Sequence, residues 1–283
     1  MLTTIGTRYR RGGPALSVGA AIVLIMALLA LFGPLVVRQD PQHEDFHYLL
    51  SPPGGPYLLG TDDLGRSILA RVIYGARVSL AISGLSTAAA VLVGAPVGLV
   101  AGYQQGWIDA VAMRLTDGVL AFPGVLLALL LIATLGASSS SVVVALGISF
   151  APLFARTIRA STLVEREKEY ITAAMASGGS VAHILRRHIA PNVADTLLVQ
   201  ATLCLGLCVL SEATLSYLGL SAAPEVPSWG RMVFEGQRLL ELTPFVSLMP
   251  LLAISVTILG FNLLGNGLSD ALNSNRQAWR GTR

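Results

Sequence analysis

Residues Val78 to Gln105 read VSLAISGLSTAAAVLVGAPVGLVAGYQQ, without one charged side chain. About 20 apolar residues, each rising roughly 1.5 Å, cross a hydrocarbon core of roughly 30 Å, so this run is a membrane span. Working outward, Ser17 to Val37 is uncharged, and Gly118 to Ala155 is an uncharged run long enough for two crossings, divided at Gly136 and Ser138 to Ser141. Thr196 to Gly219 is interrupted only by Glu212, and Leu242 to Ser269 is uncharged with Pro244 and Pro250 near its start. These runs predict an all-α integral membrane protein with six transmembrane helices.

Composition agrees. Of 283 residues, 53% are hydrophobic and 12% charged, with a mean hydropathy of +0.68; a soluble domain carries about twice that charge. Arg8, Arg10 and Arg11 precede the first run as in a secretory signal, but its apolar stretch exceeds the roughly 7 to 15 residues of such a core, so it reads as a retained signal anchor. With both termini in the cytoplasm, thirteen Lys and Arg flank the spans on the inside and six on the outside, the asymmetry expected of cytoplasmic loops. The net charge of +3 is then a consequence of topology, which argues against nucleic acid as a partner. Cys204 and Cys208, one helical turn apart inside a span, read as small hydrophobes.

Between the first two spans lies an outside segment, Arg38 to Arg77. Asp40 to Tyr57 reads as an extended linker. Thr61 is placed to cap a helix with Asp62 and Asp63 in its first turn, and Leu64, Ile68, Leu69, Val72 and Ile73 form one face, predicting an amphipathic helix on the membrane surface. In the second outside loop, Ser221 to Glu241, which holds Pro224 and Pro227, Trp229 reads as an interfacial anchor. His43-Glu44-Asp45-Phe46-His47 matches H-E-x-x-H, in which two histidines one turn apart bind zinc and the glutamate acts as base. Three readings stand there: a membrane metalloprotease, a metal site without catalysis, or solvated linker histidines.

The segment Arg156 to Asp195 holds two short helical patterns. Tyr170, Ala173, Ala174 and Ser177 fall on one small-residue face ended by Gly178 and Gly179. Ser180 can cap a second helix whose Val181, Ile184, Leu185 and His188 share a face, with Pro191 as its stop. Such a pair, meeting at a glycine hinge, fits a groove on a partner protein or the lipid surface. Ionisable groups near spans are functional suspects, which singles out Asp117 and Glu212; for Glu212 a pore role and a helix–helix hydrogen bond both stand.

Glu169 to Gly178, followed by Ile189-Ala190-Pro191-Asn192, resembles the EAA loop of bacterial ABC importer permeases, with Thr172 in place of the motif Glu and Ala190 where Leu is usual. Leu59 to Arg66, Ile73 to Leu80, Glu212 to Leu220, Pro227 to Gly230 and Phe261 to Gly265 are similar to the dipeptide/oligopeptide (and nickel) branch, in its C-type subunit. Asn266, Ser269 and Asn273 depart from that branch, where Asp, Arg and Asp are usual.

The resemblance implies a type I importer permease of MetI-like fold: an N-terminal anchor, linker and elbow helix over 1–77, a permease domain over 78–275 containing the coupling loop 156–195, and a cytoplasmic tail over 276–283. It implies docking on an ATPase through Glu169, Tyr170, Ala173, Ala174, Ser177, Gly178, Val181, Ile184, Leu185, His188 and Pro191. Asp117, Glu212 and Asn262 are its candidates for the translocation path. The implied partners are a second, B-type permease, one or two ABC ATPase subunits, an extracytoplasmic substrate-binding protein and membrane lipid. The implied location is the bacterial inner membrane. No G-x-x-x-x-G-K-[ST] loop is present, so ATP and Mg would be bound by the partner ATPase, with no catalytic, cofactor or metal site in this chain. The implied cargo is di- or oligopeptide, with nickel, haem or glutathione as alternatives in the same branch. A channel or secondary transporter, the other class, would need charged or broken helices at midplane.

Overall fold

The computed structural model describes residues 13–221 and 226–280, with side chains through residue 272. Arg8, Arg10, Arg11, Pro224 and Arg283 lie outside the described residues, as do the side chains of Asn273, Arg276 and Arg280. The elements are helices in the order α1 (Gly13–Val36), α2 (Ile68–Gln104), α3 (Gly106–Leu120), α4 (Gly124–Leu135), α5 (Ser139–Arg166), α6 (Glu169–Ala176), α7 (Val181–Ile184), α8 (Ala190–Tyr217), α9 (Trp229–Gly236) and α10 (Phe245–Arg280).

Five helical rods are long and apolar enough to cross a membrane; α3 and α4, bent by 89° at the residues between them, make a sixth crossing when taken as one broken span. The uncharged run beginning at Gly118 thus opens inside α3, which itself begins at Gly106 and carries Asp109 and Arg114. The break has a local cause. Pro123 lacks an N–H and disfavours helical backbone at Phe122, so α3 stops and Pro123 caps a new helix.

The bundle is tightest where α2 meets α5. A Cβ added at Gly94 would lie 2.1 Å from the Ala151 carbonyl oxygen, and one at Gly98 would lie 2.5 Å from that of Ala155. Only hydrogen fits between these backbones, and close backbone approach through small residues is how helices adhere where lipid removes the hydrophobic drive between them. Cys204 and Cys208 are free thiols of α8 packed with Ala90 and Phe154.

Two expectations about the outer segments are corrected. Of the surface helix proposed from Thr61, residues 61–67 form a bridged turn and Ile68, Leu69, Val72 and Ile73 lie in the first turns of α2, capped by Ser67, whose hydroxyl accepts from the Ala70 N–H at 3.3 Å. A helix of 37 residues is about 55 Å long, well beyond the hydrocarbon, and its projecting end packs Ile68 against Met232 and Val246. Spacing alone cannot tell an apolar face on lipid from one on protein. Trp229 likewise is 0% exposed, in a cluster with Ala76, Val209 and Phe261, and its indole N–H donates to the Val72 carbonyl at 2.9 Å.

Candidate coupling site

At the end of the bundle opposite Trp229, α5 runs on to Arg166, whose guanidinium lies 5.6 Å from the centre of the Tyr103 ring of α2. A turn at Glu167 and Lys168 leads into α6, with Glu169 in its first turn. Gly178, at φ +80°, turns the chain in the left-handed region that a side chain resists. The Ser180 hydroxyl accepts from the His183 N–H at 3.3 Å and caps α7, as its position predicted.

Pro191 does not stop the second helix. Between α7 and α8 the backbone widens into a π segment, Leu185–Ile189, in which the Ala190 N–H reaches the Leu185 carbonyl five residues back. The wider turn seats the Pro191 ring near the start of α8, so Val181 to Tyr217 forms one long rod. The buried residues follow that geometry: Ile184, then Ile189 five later, then Val193 four later.

The predicted docking faces divide accordingly. Tyr170, Ala173, Ser177, Gly178, Val181, Pro191 and Glu169 are exposed, and Ala174 is half-buried. Ile184 is fully buried, and Leu185 and His188 are half-buried; Ile184 and Leu185 join Ala95, Tyr103, Ile158 and Ile171 in a core cluster. The aliphatic face of the second helix therefore holds the elbow to its own bundle, a correction to its reading as part of the docking face. Beside it Ala182, His183, Arg186, Arg187 and Pro191 line an open basic recess of about 630 Å³.

The Tyr170 ring is 40% exposed, but its hydroxyl turns inward. It donates to the carboxylate of Glu165, the next-to-last residue of α5, and accepts from Asn192 Nδ2 of α8 at 3.1 Å. Glu165 also accepts from Lys168 Nζ at 2.6 Å, and Asn192 Nδ2 donates to the His188 carbonyl at 2.6 Å. Burial, with the neighbouring Glu165 carboxylate, raises the Tyr170 phenol well above its ordinary 10. Reading the sequence missed Glu165, which precedes the first short helical pattern, and Asn192, which lies past the stop assigned to Pro191.

The pathway candidates occupy three different surroundings. Asp117 is exposed on α3 and pairs with Arg156 of α5; nearby, Asp109 pairs with Arg159 through a second contact at 2.5 Å. Asn262 is exposed on α10 beside Gly206 of α8. Glu212 is 0% exposed and accepts from the Ser221 hydroxyl at 3.3 Å. In this single chain it is a buried polar contact between α8 and the loop that follows it.

The H-E-x-x-H stretch is also corrected. Its residues form turns and extended backbone instead of a helix, so His43 and His47 share no helical face with Glu44 between them. His47 lies 3.4 Å from Asp45, its side chain 94% exposed. Among the described residues no group of three or more His, Cys, Asp or Glu could hold a metal ion.

Comparison with known proteins identifies the lineage. Residues 94–277 match the family model described as the binding-protein-dependent transport system inner membrane component. The chain belongs to that family. It is 38% identical over 94% of its length, and 88% of the relative's, to a glutathione transport system permease protein, GsiD, of Pectobacterium atrosepticum. It is 38% identical over 90% of its length, and 84% of the relative's, to a dipeptide transport system permease protein, DppC, of Alkalihalophilus pseudofirmus. A chain of the MetNI methionine ABC transporter, solved in inward-facing conformations, superposes with a TM-score of 0.59 at 18% identity, covering 69% of this chain and 93% of that one. The fold is thus MetI-like, and the chain is a multi-pass membrane permease.

Proposed function

We propose that this chain is the C-type permease subunit of an ATP-driven importer for dipeptides, oligopeptides or glutathione, forming one half of a translocation path. The observation that carries the coupling reading is the α6–Gly178–α7 elbow, a short helical corner between two long spans whose Tyr170, Ala173, Ser177 and Val181 are exposed while Ile171 and Ile184 seat it on the bundle. In this reading the elbow lies in the cytoplasm and seats the face of Tyr170, Ala173, Ala174, Ser177 and Val181 in a groove of an ABC ATPase subunit, which binds ATP and Mg and hydrolyses the nucleotide. A B-type permease supplies the other half of the path, and an extracytoplasmic binding protein delivers cargo to the end that carries Trp229. Residues 1–77 anchor and cap the unit, 78–275 transport, and 276–283 trail into the cytoplasm. The names of the relatives support the cargo, since both peptides and glutathione are amide-linked zwitterions.

The test is purification with all partners in liposomes, with ATP hydrolysis and uptake followed for dipeptides, longer peptides and glutathione. One of these cargoes should stimulate both. Gly178→Arg and Ala174→Glu should abolish uptake and release the ATPase subunit while leaving membrane insertion intact. Full uptake in both variants rejects the docking role, and uptake without any ATPase subunit rejects the class.

A further inference from the structure

We propose that the Tyr170 hydroxyl is a positioning group that ties the elbow to both spans it joins, so that movement of α6 reaches α8 through Asn192 as well as through the Gly178 turn. The inference rests on the coupling reading above and goes beyond it, because docking requires only the exposed face.

Three observations carry it. The hydroxyl is used on both sides, donating to Glu165 at the end of α5 and accepting from Asn192 Nδ2 at the start of α8. Both partners are themselves held. Glu165, 6% exposed, is gripped by Lys168, and Asn192 is clipped to the His188 carbonyl inside the widened turn. Finally, the covalent route from α6 to α8 bends at a glycine with φ +80° and then passes through a π segment, two places where a backbone absorbs motion. A hydrogen bond across that slack corner shortens the route from 22 residues of chain to one side-chain contact.

The geometry makes Tyr170 unlike its neighbours on α6. Ala173 and Ser177 reach only outward or to their own helix, the Ser177 hydroxyl donating to the Ala173 carbonyl at 2.9 Å. Tyr170 alone of these three bonds through its hydroxyl to both α5 and α8.

The experiment uses the full complex in liposomes and reads backbone hydrogen exchange with and without nucleotide trapped by vanadate, so that no cargo is needed. In the parent complex trapping should change exchange in both α6 and residues 190–200. In Tyr170→Phe, which keeps the ring, the α6 response should persist while that of residues 190–200 falls at least fivefold. Asn192→Leu should do the same, and the double variant should be no worse than either single one, since all three break a single link. An unchanged α8 response in Tyr170→Phe, or additive losses in the double variant, overturns the link. A parent α6 indifferent to trapped nucleotide overturns the coupling reading itself, and this inference with it.

Discussion

The two ends of the bundle mix charge and apolar contact in different proportions. At the Trp229 end, the Asp62 carboxylate accepts from the Leu64 and Arg66 backbone N–H groups at 3.0 and 2.9 Å, from Arg66 Nε at 2.8 Å and from Arg71 Nη1 at 2.9 Å. Arg71 also donates to Glu235 of α9 at 2.6 Å, and Arg231 donates to the same carboxylate at 2.9 Å. The Asp62 and Arg71 side chains are only 4% and 5% exposed. Charges so far from water are tolerated because each is met by several partners, and removing any one strands the others. At the elbow an aliphatic cluster, the Tyr170 contacts and the Glu165–Lys168 pair do the fastening, while most polar side chains face outward. The outer cap is cross-braced by a network of buried charges, whereas the elbow rests on an aliphatic cluster pinned at few polar points, the Tyr170 hydroxyl among them.

Perturbations at the cap, the elbow and the outer linker sharpen or break this contrast. Arg71→Ala should cost most, about 3–5 kcal/mol, by emptying a buried site and removing the cation that bridges Asp62 to Glu235, which leaves the buried Asp62 carboxylate with Arg66 as its one side-chain cation. A large fall in detergent unfolding temperature checks it, and an unfolding temperature equal to the parent's would show that the cap is not braced by charge. Ile184→Ala should cost about 2–4 kcal/mol, because a side chain with 1% exposure leaves a cavity in the cluster that holds the elbow. Val181→Ala, at an exposed position, should leave the unfolding temperature within a degree or so; similar losses in both would put Val181 in the core as well.

Gly178→Ala should cost about 1 kcal/mol through its left-handed backbone, with no neighbour within 4 Å of the added carbon. Uptake should drop more than stability does, and a pair of measurements on one preparation decides that. The smallest effect is acidic. The His47 backbone N–H, with Tyr57 and His47 side chains, lowers the Asp45 carboxyl below its ordinary 3.8. A lowered folded value stabilises the protein above about pH 4, and that contribution disappears as pH falls through the folded value. Hydrogen exchange of residues 43–50 should therefore quicken, beyond the intrinsic pH trend, between pH 6 and pH 3, and Tyr57→Phe should show less of this change.

The long apolar runs were legible because hydrocarbon imposes one length on every crossing, and Ser180 and Gly178 were legible because caps and left-handed turns select few residue types. What escaped has physical reasons too. The bend at Pro123 sits inside an uncharged run, where lipid and protein neighbours select the same side chains. The partners of Arg71 stand 9 and 164 residues away along the chain, beyond any local spacing. The aliphatic face through Leu185 and His188 was drawn at a pitch of 3.6 residues, whereas the backbone there closes five residues back.

That single wider turn absorbs one surplus residue. An ordinary α-helix comes back to the same face after about four residues, whereas Ile184 and Ile189 reach one buried cluster five apart. Deleting one residue from Leu185–Ile189 would leave that pair four apart at ordinary pitch, and the tip would keep its bearing. Forcing ordinary pitch with every residue kept would instead swing Val181 and the Gly178 corner by about 100° around the rod. The bulge is what lets a longer chain point the same way.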